Sequence, residues 1–355
     1  MIDGVQRGDP MNVPVFSGLQ KLEFQERPRP VADPGEVLVD VALCGICGSD
    51  VHGYLNGIMI PLGTVMGHEA VGTVAETGKG VTEWRAGDRV AIKPIPECGV
   101  CPFCRKGQFS LCVEAFPRAI GISPANDGAF ARTVKVKHPK AMLFRLPDEV
   151  TFEQASVIEP LATSLHGVRM SRFRPGDTAV VIGAGTIGLG VLQFLKLGGA
   201  GKVIVLEVSE RKREIARGLG ADVVLDPLKE GEKLRETVFG HTGGIGADLV
   251  YECAGVPQAL QASYTLVKSG GQVLLIGIND KEVSIQPFFL SLWEVELKGV
   301  LGYYDEFERV IEFLRRKRIN TEVMISGTID LADIEEKGFR RLLASRDDVK
   351  IVVRP

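Results

Sequence analysis

The chain has 355 residues, 45% of them hydrophobic and 25% charged, with 42 glycines and a formal net charge of −3. That length accommodates two domains with separate cores, and the mildly acidic balance argues against nucleic acid or an anionic membrane as the main partner. The polar opening MIDGVQRGDP does not read as a secretory signal, and seven cysteines in such a chain point to metal or reduced thiols in a cytoplasmic setting.

In chain order, the first 150 residues alternate valine-rich runs with Gly and Pro: EVLVDVALCG, AVGTVAETG, DRVAIKPI and FARTVKVK. They predict short strands in a compact barrel-like domain whose loops carry function. At TFEQASVIEPLATSLHGVRM the pattern turns helical, with a cap spacing from Thr151 to Gln154 and a break or kink predicted at Pro160. Beyond Gly176, TAVVIGAG, KVIVLE, DVVLD, ADLVYECAG and QVLLIG read as strands. TIGLGVLQFLKLGG, SERKREIARGLG and PQALQASYTLVKSGG read as the helices between them. Such alternation predicts βαβ units and a parallel sheet. The apolar stretch from Thr178 to Val208 is too rich in glycine to read as a membrane span. FERVIEFLRRKRI follows with Phe307, Val310, Ile311 and Leu314 on one helical face, and VKIVV closes the chain as a strand.

Three constellations carry chemistry. Cys98, Cys101, Cys104 and Cys112 follow C-x2-C-x2-C-x7-C on a glycine-containing loop. Four such thiolates can close on one tetrahedral ion, zinc ahead of an iron–sulfur centre, leaving no position for substrate. Cys47, His68, Glu69 and Glu159 form a second, scattered set. Thiolate, imidazole and carboxylate suit a catalytic zinc with an open position, and Asp50 is placed to orient His68. Cys44 reads as ordinary core. Third, VVIGAGTIGLG holds G-x-G-x-x-G at Gly183, Gly185 and Gly188 between a predicted strand and helix, and Glu207 closes the next strand. Glycines there let backbone N–H groups approach a pyrophosphate, and the acid accepts ribose hydroxyls, which favours NAD over NADP.

Together these segments, with GHEAVGTVAETG matching G-H-E-x2-G-x5-G, resemble the zinc-dependent medium-chain alcohol dehydrogenases over nearly the whole chain. The similarity is strongest toward 2,3-butanediol dehydrogenases, then sorbitol-type polyol dehydrogenases. It implies an α/β architecture: a GroES-like β-barrel catalytic domain (residues 1–165 and 296–355) and a Rossmann doubly wound parallel-sheet nucleotide-binding domain (166–295). It implies two zincs per chain, one structural on the four cysteines and one catalytic on Cys47, His68 and either Glu159 or Glu69, with Glu159 favoured. Ser49 would take the alcohol proton and His52 pass it on. Thr186 and Ile187 join the glycine motif, and Lys212 falls near the adenine although Arg211, Lys212 and Arg213 read as a solvated helix face. Ala254, Gly255, Ile276, Gly277, Ile278 and Leu301 would lie near the nicotinamide and ribose.

The implied reaction is hydride transfer between a secondary alcohol, a vicinal diol or polyol, and NAD. The partners are a small alcohol or ketone and, by the family's habit, copies of the chain in a tetramer or dimer. Gly302 stands where sorbitol dehydrogenases often carry arginine, which argues for a smaller or different substrate, with Tyr303 and Phe116 as candidate pocket lining. A threonine 3-dehydrogenase-like enzyme and a non-catalytic nucleotide-binding sensor are the rival readings.

Overall fold

A computed structural model describes residues 9–355; the first eight residues of the expected catalytic domain lie outside the described residues. Three sheets organise the chain. A hairpin pairs Met11–Gly18 with Lys21–Arg27. A seven-stranded, mostly antiparallel sheet runs in the order Ile325–Asp330, Lys350–Arg354, Val37–Gly45, Glu69–Thr77, Arg89–Ile92, Leu143–Arg145, with Thr133–Val136 added on Val37–Gly45. A six-stranded parallel sheet follows the order Val223–Leu225, Lys202–Leu206, Thr178–Ile182, Ala247–Glu252, Val267–Leu275, Glu296–Gly299.

The central strand of the parallel sheet is apolar without alternation because helices cover both faces: Ala179, Val180, Val181 and Ile182 are all buried. The strand order reverses beside Thr178–Ile182, which opens a crevice at the carboxyl ends of the strands. Strand Glu296–Gly299 bonds to Val267–Leu275 within this sheet, although the sequence boundary at 295/296 falls just before it.

The predicted strands and helices form, with three differences. The run after Thr151 becomes two helices, Phe152–Ala155 and Ile158–Met170. Thr151 Oγ1 accepts the Gln154 N–H and Gln154 Oε1 accepts the Thr151 N–H, both at 3.1 Å. Pro160 sits in the first turn of the second helix, where its missing N–H removes no intrahelical bond. VKSGG belongs to strand Val267–Leu275 and not to the preceding helix, which ends at Leu266. GSDVHGYLN, read only as a loop with ligands, forms helix Gly48–Asn56, capped by Cys47 and closed by Gly57 at φ 70°. On the last amphipathic helix, Glu306–Arg315, Phe307, Val310, Ile311 and Leu314 are buried as the pattern requires. No helix among the described residues is long and apolar enough to cross a membrane.

Candidate active site

The four clustered thiols assemble locally. All lie within 4.8 Å of one another, with Cys98 and Cys104 Sγ at 3.9 Å. Zn–S bonds of about 2.3 Å in a tetrahedron require S···S separations of roughly 3.8 Å, so the donor set fits zinc. Backbone N–H groups already point at sulfur: Cys98 N to Cys112 at 3.3 Å, Cys101 N to Cys98 at 3.4 Å and Cys104 N to Cys101 at 3.5 Å. The Cys104 N–H draws the Cys101 thiol down to about 6, toward the thiolate a metal needs.

The second set comes from three distant elements. Cys47 caps helix Gly48–Asn56, and its N–H donates to Asp50 Oδ2 at 2.9 Å. Asp50 is fully buried, and its Oδ1 lies 3.3 Å from His68 Nδ1. His68 Nε2 lies 3.3 Å from Ser49 Oγ. Burial lowers the His68 pKa, but Asp50 and Cys47 outweigh it and the net shift is upward. Gly67, at φ 96°, lets the chain enter this turn, since a Cβ there would meet Phe130 N at 2.7 Å. Cys44 is buried core, as expected.

The two candidate glutamates differ. Glu69 is held by Lys350, whose Nζ donates to both carboxylate oxygens at 2.7 and 2.6 Å and to Ile46 O at 2.8 Å. Both side chains are almost wholly buried. Glu159 opens helix Ile158–Met170. Burial pushes its carboxyl up to about 7; Glu69 adds to this, while His68 and Lys350 oppose it. Burial, then the nearby Glu159 carboxylate, also raises the Tyr303 phenol, to which the charges of Cys47 and Glu97 contribute. Among the described residues only the four clustered thiols draw three or more ligand atoms within 4.8 Å. His68 feels both Cys47 and Glu159 electrostatically, but the three ligand atoms do not all come within 4.8 Å of one another. As a thiolate, imidazole and carboxylate around one space, they suit zinc chemically.

His52 lies on the same helix. Its Nδ1 is 3.8 Å from Asp280 Oδ2, and Asn56 Nδ2 donates to that oxygen at 2.7 Å. Asp280 follows strand Val267–Leu275, so this contact joins helix Gly48–Asn56 to a loop of the parallel-sheet region.

The glycine motif sits at the crevice. Gly183 has φ 94°, and a Cβ on Gly188 would land 1.8 Å from Gly183 O. Gly185 caps helix Thr186–Leu197 with open space above it. Thr186 spends its hydroxyl on Val349 O at 3.0 Å, and Ile187 O accepts Ser164 Oγ at 3.0 Å. Glu207 closes its strand and accepts N–H groups from Ala184 at 2.7 Å and Ser209 at 2.8 Å. Glu207, Lys212, Ala254 and Arg346 line a cleft of about 740 Å³ with Gly183 and Gly185.

The basic run is not simply a solvated face. Arg213 is 4% exposed and donates to Glu207 O and Val208 O, both at 2.8 Å; Lys212 lines the cleft; Arg211 is exposed. The loop Ala254–Gly255 is held from below by buried Glu252, which accepts both N–H groups at 2.8 Å. A Cβ on Gly277 would reach Gly255 N at 2.3 Å, and one on Gly255 would reach Ile278 O at 2.5 Å. Ile276 is buried beside Gly167. Leu301 is exposed at a small cavity that Phe116 and Tyr303 also line.

Sequence reading missed Lys93, Glu252, Asp280, Arg346 and Lys350. Lys93 and Lys350 carried a signal, a single charge inside an apolar strand-like run (VAIKPI, VKIVV). A charge so placed needs a buried partner.

A glycine-lined crevice on a parallel sheet, together with a thiol, imidazole and carboxyl set elsewhere in the chain, is the pattern of a zinc- and nicotinamide-dependent dehydrogenase. Family models agree: residues 33–148 match the alcohol dehydrogenase GroES-like domain and residues 186–316 the zinc-binding dehydrogenase domain. The chain is 34% identical to the (R,R)-butanediol dehydrogenase of Bacillus subtilis (strain 168), over 94% of this chain and 96% of that one. It is 30% identical to the sorbitol dehydrogenase of the same organism, over 97% of each. A zinc-binding dehydrogenase structure from Sinorhizobium meliloti 1021, bound to NADP, superimposes with a TM-score of 0.88 at 31% identity, covering 98% of this chain and 100% of that one. The chain belongs to the zinc-dependent medium-chain alcohol dehydrogenases.

Proposed function

We propose that this enzyme oxidises vicinal diols or polyols, and reduces the matching ketones, with NAD. One zinc is held by Cys47, His68 and Glu159, and a second by Cys98, Cys101, Cys104 and Cys112. The observation that carries this reading is the buried Asp50–His68 pair: Asp50 Oδ1 lies 3.3 Å from His68 Nδ1, and His68 Nε2 faces Ser49 Oγ at 3.3 Å. Lys350 occupies both oxygens of Glu69, which favours Glu159 as the third ligand.

When bound, zinc supplies Lewis acidity at the alcohol oxygen and the nicotinamide accepts hydride. The chain supplies alignment and proton traffic. Ser49 takes the alcohol proton, and His52 relays it to solvent with Asp280 at its far side. Glu252 fixes the Ala254–Gly255 loop against which the nicotinamide lies. Glu207 selects NAD by accepting ribose hydroxyls and repelling a 2′-phosphate, against the opposing pull of Lys212 and Arg346. We place the domain division after Gly299, take the catalytic domain to include the C-terminal return, and infer a cytoplasmic homo-oligomer, a tetramer or dimer. A threonine dehydrogenase is not favoured.

Zinc analysis together with kcat/KM for NAD and NADP on a panel of diols, polyols and simple secondary alcohols tests the reading. Two zincs per chain, a preference for NAD and a preference for vicinal diols over simple alcohols are expected. One zinc per chain, or an NADP preference, overturns the corresponding assignment.

A further inference from the structure

Beside Tyr303, whose phenol lies close to Glu159, a small cavity is walled by Lys93, Phe109, Ser110, Phe116 and Gly302. Lys93 is 3% exposed and follows strand Arg89–Ile92. Its ammonium is paired with Glu97 and lies 5.9 Å from the centroid of the Phe109 ring. An ammonium carries three N–H donors and Glu97 satisfies one of them. On the same cavity Tyr303 keeps its buried hydroxyl close to Glu159. A buried ammonium with open donor capacity therefore lines a small space beside the candidate ligand Glu159. The opposite wall is bare at Gly302, where an added Cβ would reach Ser110 Cβ at 3.3 Å.

A buried donor left without an acceptor is costly, and a substrate that supplies the acceptor is selected over one that does not. The methyl ends of 2,3-butanediol supply none. We propose that Lys93, steadied by Glu97, is a specificity-determining residue that reads a hydroxyl beyond the reacting pair, so that the enzyme prefers polyols of five or six carbons to 2,3-butanediol. This inference rests on the proposed dehydrogenase reading of the same site.

The test compares xylitol, sorbitol and 2,3-butanediol in the zinc-loaded enzyme and in Lys93→Met, Lys93→Arg and the double variant Lys93→Met/Glu97→Gln, which leaves no lone carboxylate behind. The expected result is a wild-type preference for the polyols. In Lys93→Met and the double variant, the polyol-to-butanediol ratio of kcat/KM falls about 10- to 100-fold, and Lys93→Arg recovers part of it. Unchanged zinc content and thermal midpoint in the double variant show that the loss is not unfolding. Equal losses on all three substrates, or a wild-type preference for 2,3-butanediol, overturn the assignment of Lys93 while leaving the dehydrogenase reading standing. Absence of turnover on all three, with NAD and with NADP, overturns both.

Discussion

The four-thiol lobe and the catalytic cleft are both candidate zinc sites, yet they are built in opposite ways. The lobe draws its ligands from fifteen consecutive residues, Cys98 to Cys112, and its own backbone N–H groups aim at the sulfurs. The cleft takes Cys47 from a helix cap, His68 from the turn before a strand and Glu159 from the first turn of another helix. Its geometry depends on Lys350 and Val349 in the C-terminal return, which touch Glu69 and Thr186. A structural ion can be held by local chain geometry, whereas a reactive one needs an open position that long-range packing keeps from closing.

The sharpest break in this comparison comes from removing one ligand on each side. His68→Ala is expected to lower kcat/KM on the order of a thousandfold or more and to release one zinc. Cys104→Ser is expected to release the other zinc, lower the thermal midpoint by several degrees and retain measurable turnover. Metal analysis, calorimetry and steady-state rates on both variants check the contrast.

Lys350→Met strips the buried partner from Glu69 and is expected to cost about 3–5 kcal/mol, because an unpaired charge stays behind. Denaturant titration measures it, and Lys350→Met/Glu69→Gln is expected to recover much of the loss.

A smaller effect belongs to the same C-terminal return. Arg341 grips Asp348 through two hydrogen bonds, at 2.9 and 2.6 Å, and holds its carboxyl below the usual range. A depressed carboxylate stabilises the fold fully above the unfolded value of about 3.9, and the contribution drains away as pH falls through the lower folded value. Asp348→Asn should therefore cost about 1–2 kcal/mol at pH 7 and converge with the wild type in strong acid, as read by unfolding at several pH values.

The gentlest test is Asp280→Asn. It keeps an acceptor for Asn56 but removes the negative charge beside His52, and a drop in kcat of about threefold is expected. In a His52→Ala background the substitution should have no further effect, and a persistent drop there would detach Asp280 from the relay.

The unequal construction also explains what could be read from sequence. The thiol spacing, the glycine motif and the valine-rich strands are local patterns, and the elements around them fold as their periodicities require. Helix Gly48–Asn56 was hidden because GSDVHGYLN has two glycines, little apolar periodicity and a cysteine as its cap. What sets Glu69 apart from Glu159 was unreadable because its partner Lys350 stands 281 residues away in the chain. Asp280 stands 224 residues from Asn56. Such partners leave no periodicity behind. The only trace is a charge where an apolar residue is expected, as at Lys93 and Lys350.

One contact gives this division of labour a further meaning. Ser164, on the same helix Ile158–Met170 as Glu159, donates to Ile187 O, and a Cβ on Gly190 would come within 2.5 Å of its oxygen. The rod bearing Glu159 is thereby bolted to the rod that rises from the glycine motif, which holds the proposed third ligand and the proposed phosphate loop at a fixed span. The wall containing Lys93 and Phe109 lies outside that bolted unit, so new tastes can be acquired there by substitution while that span is inherited intact.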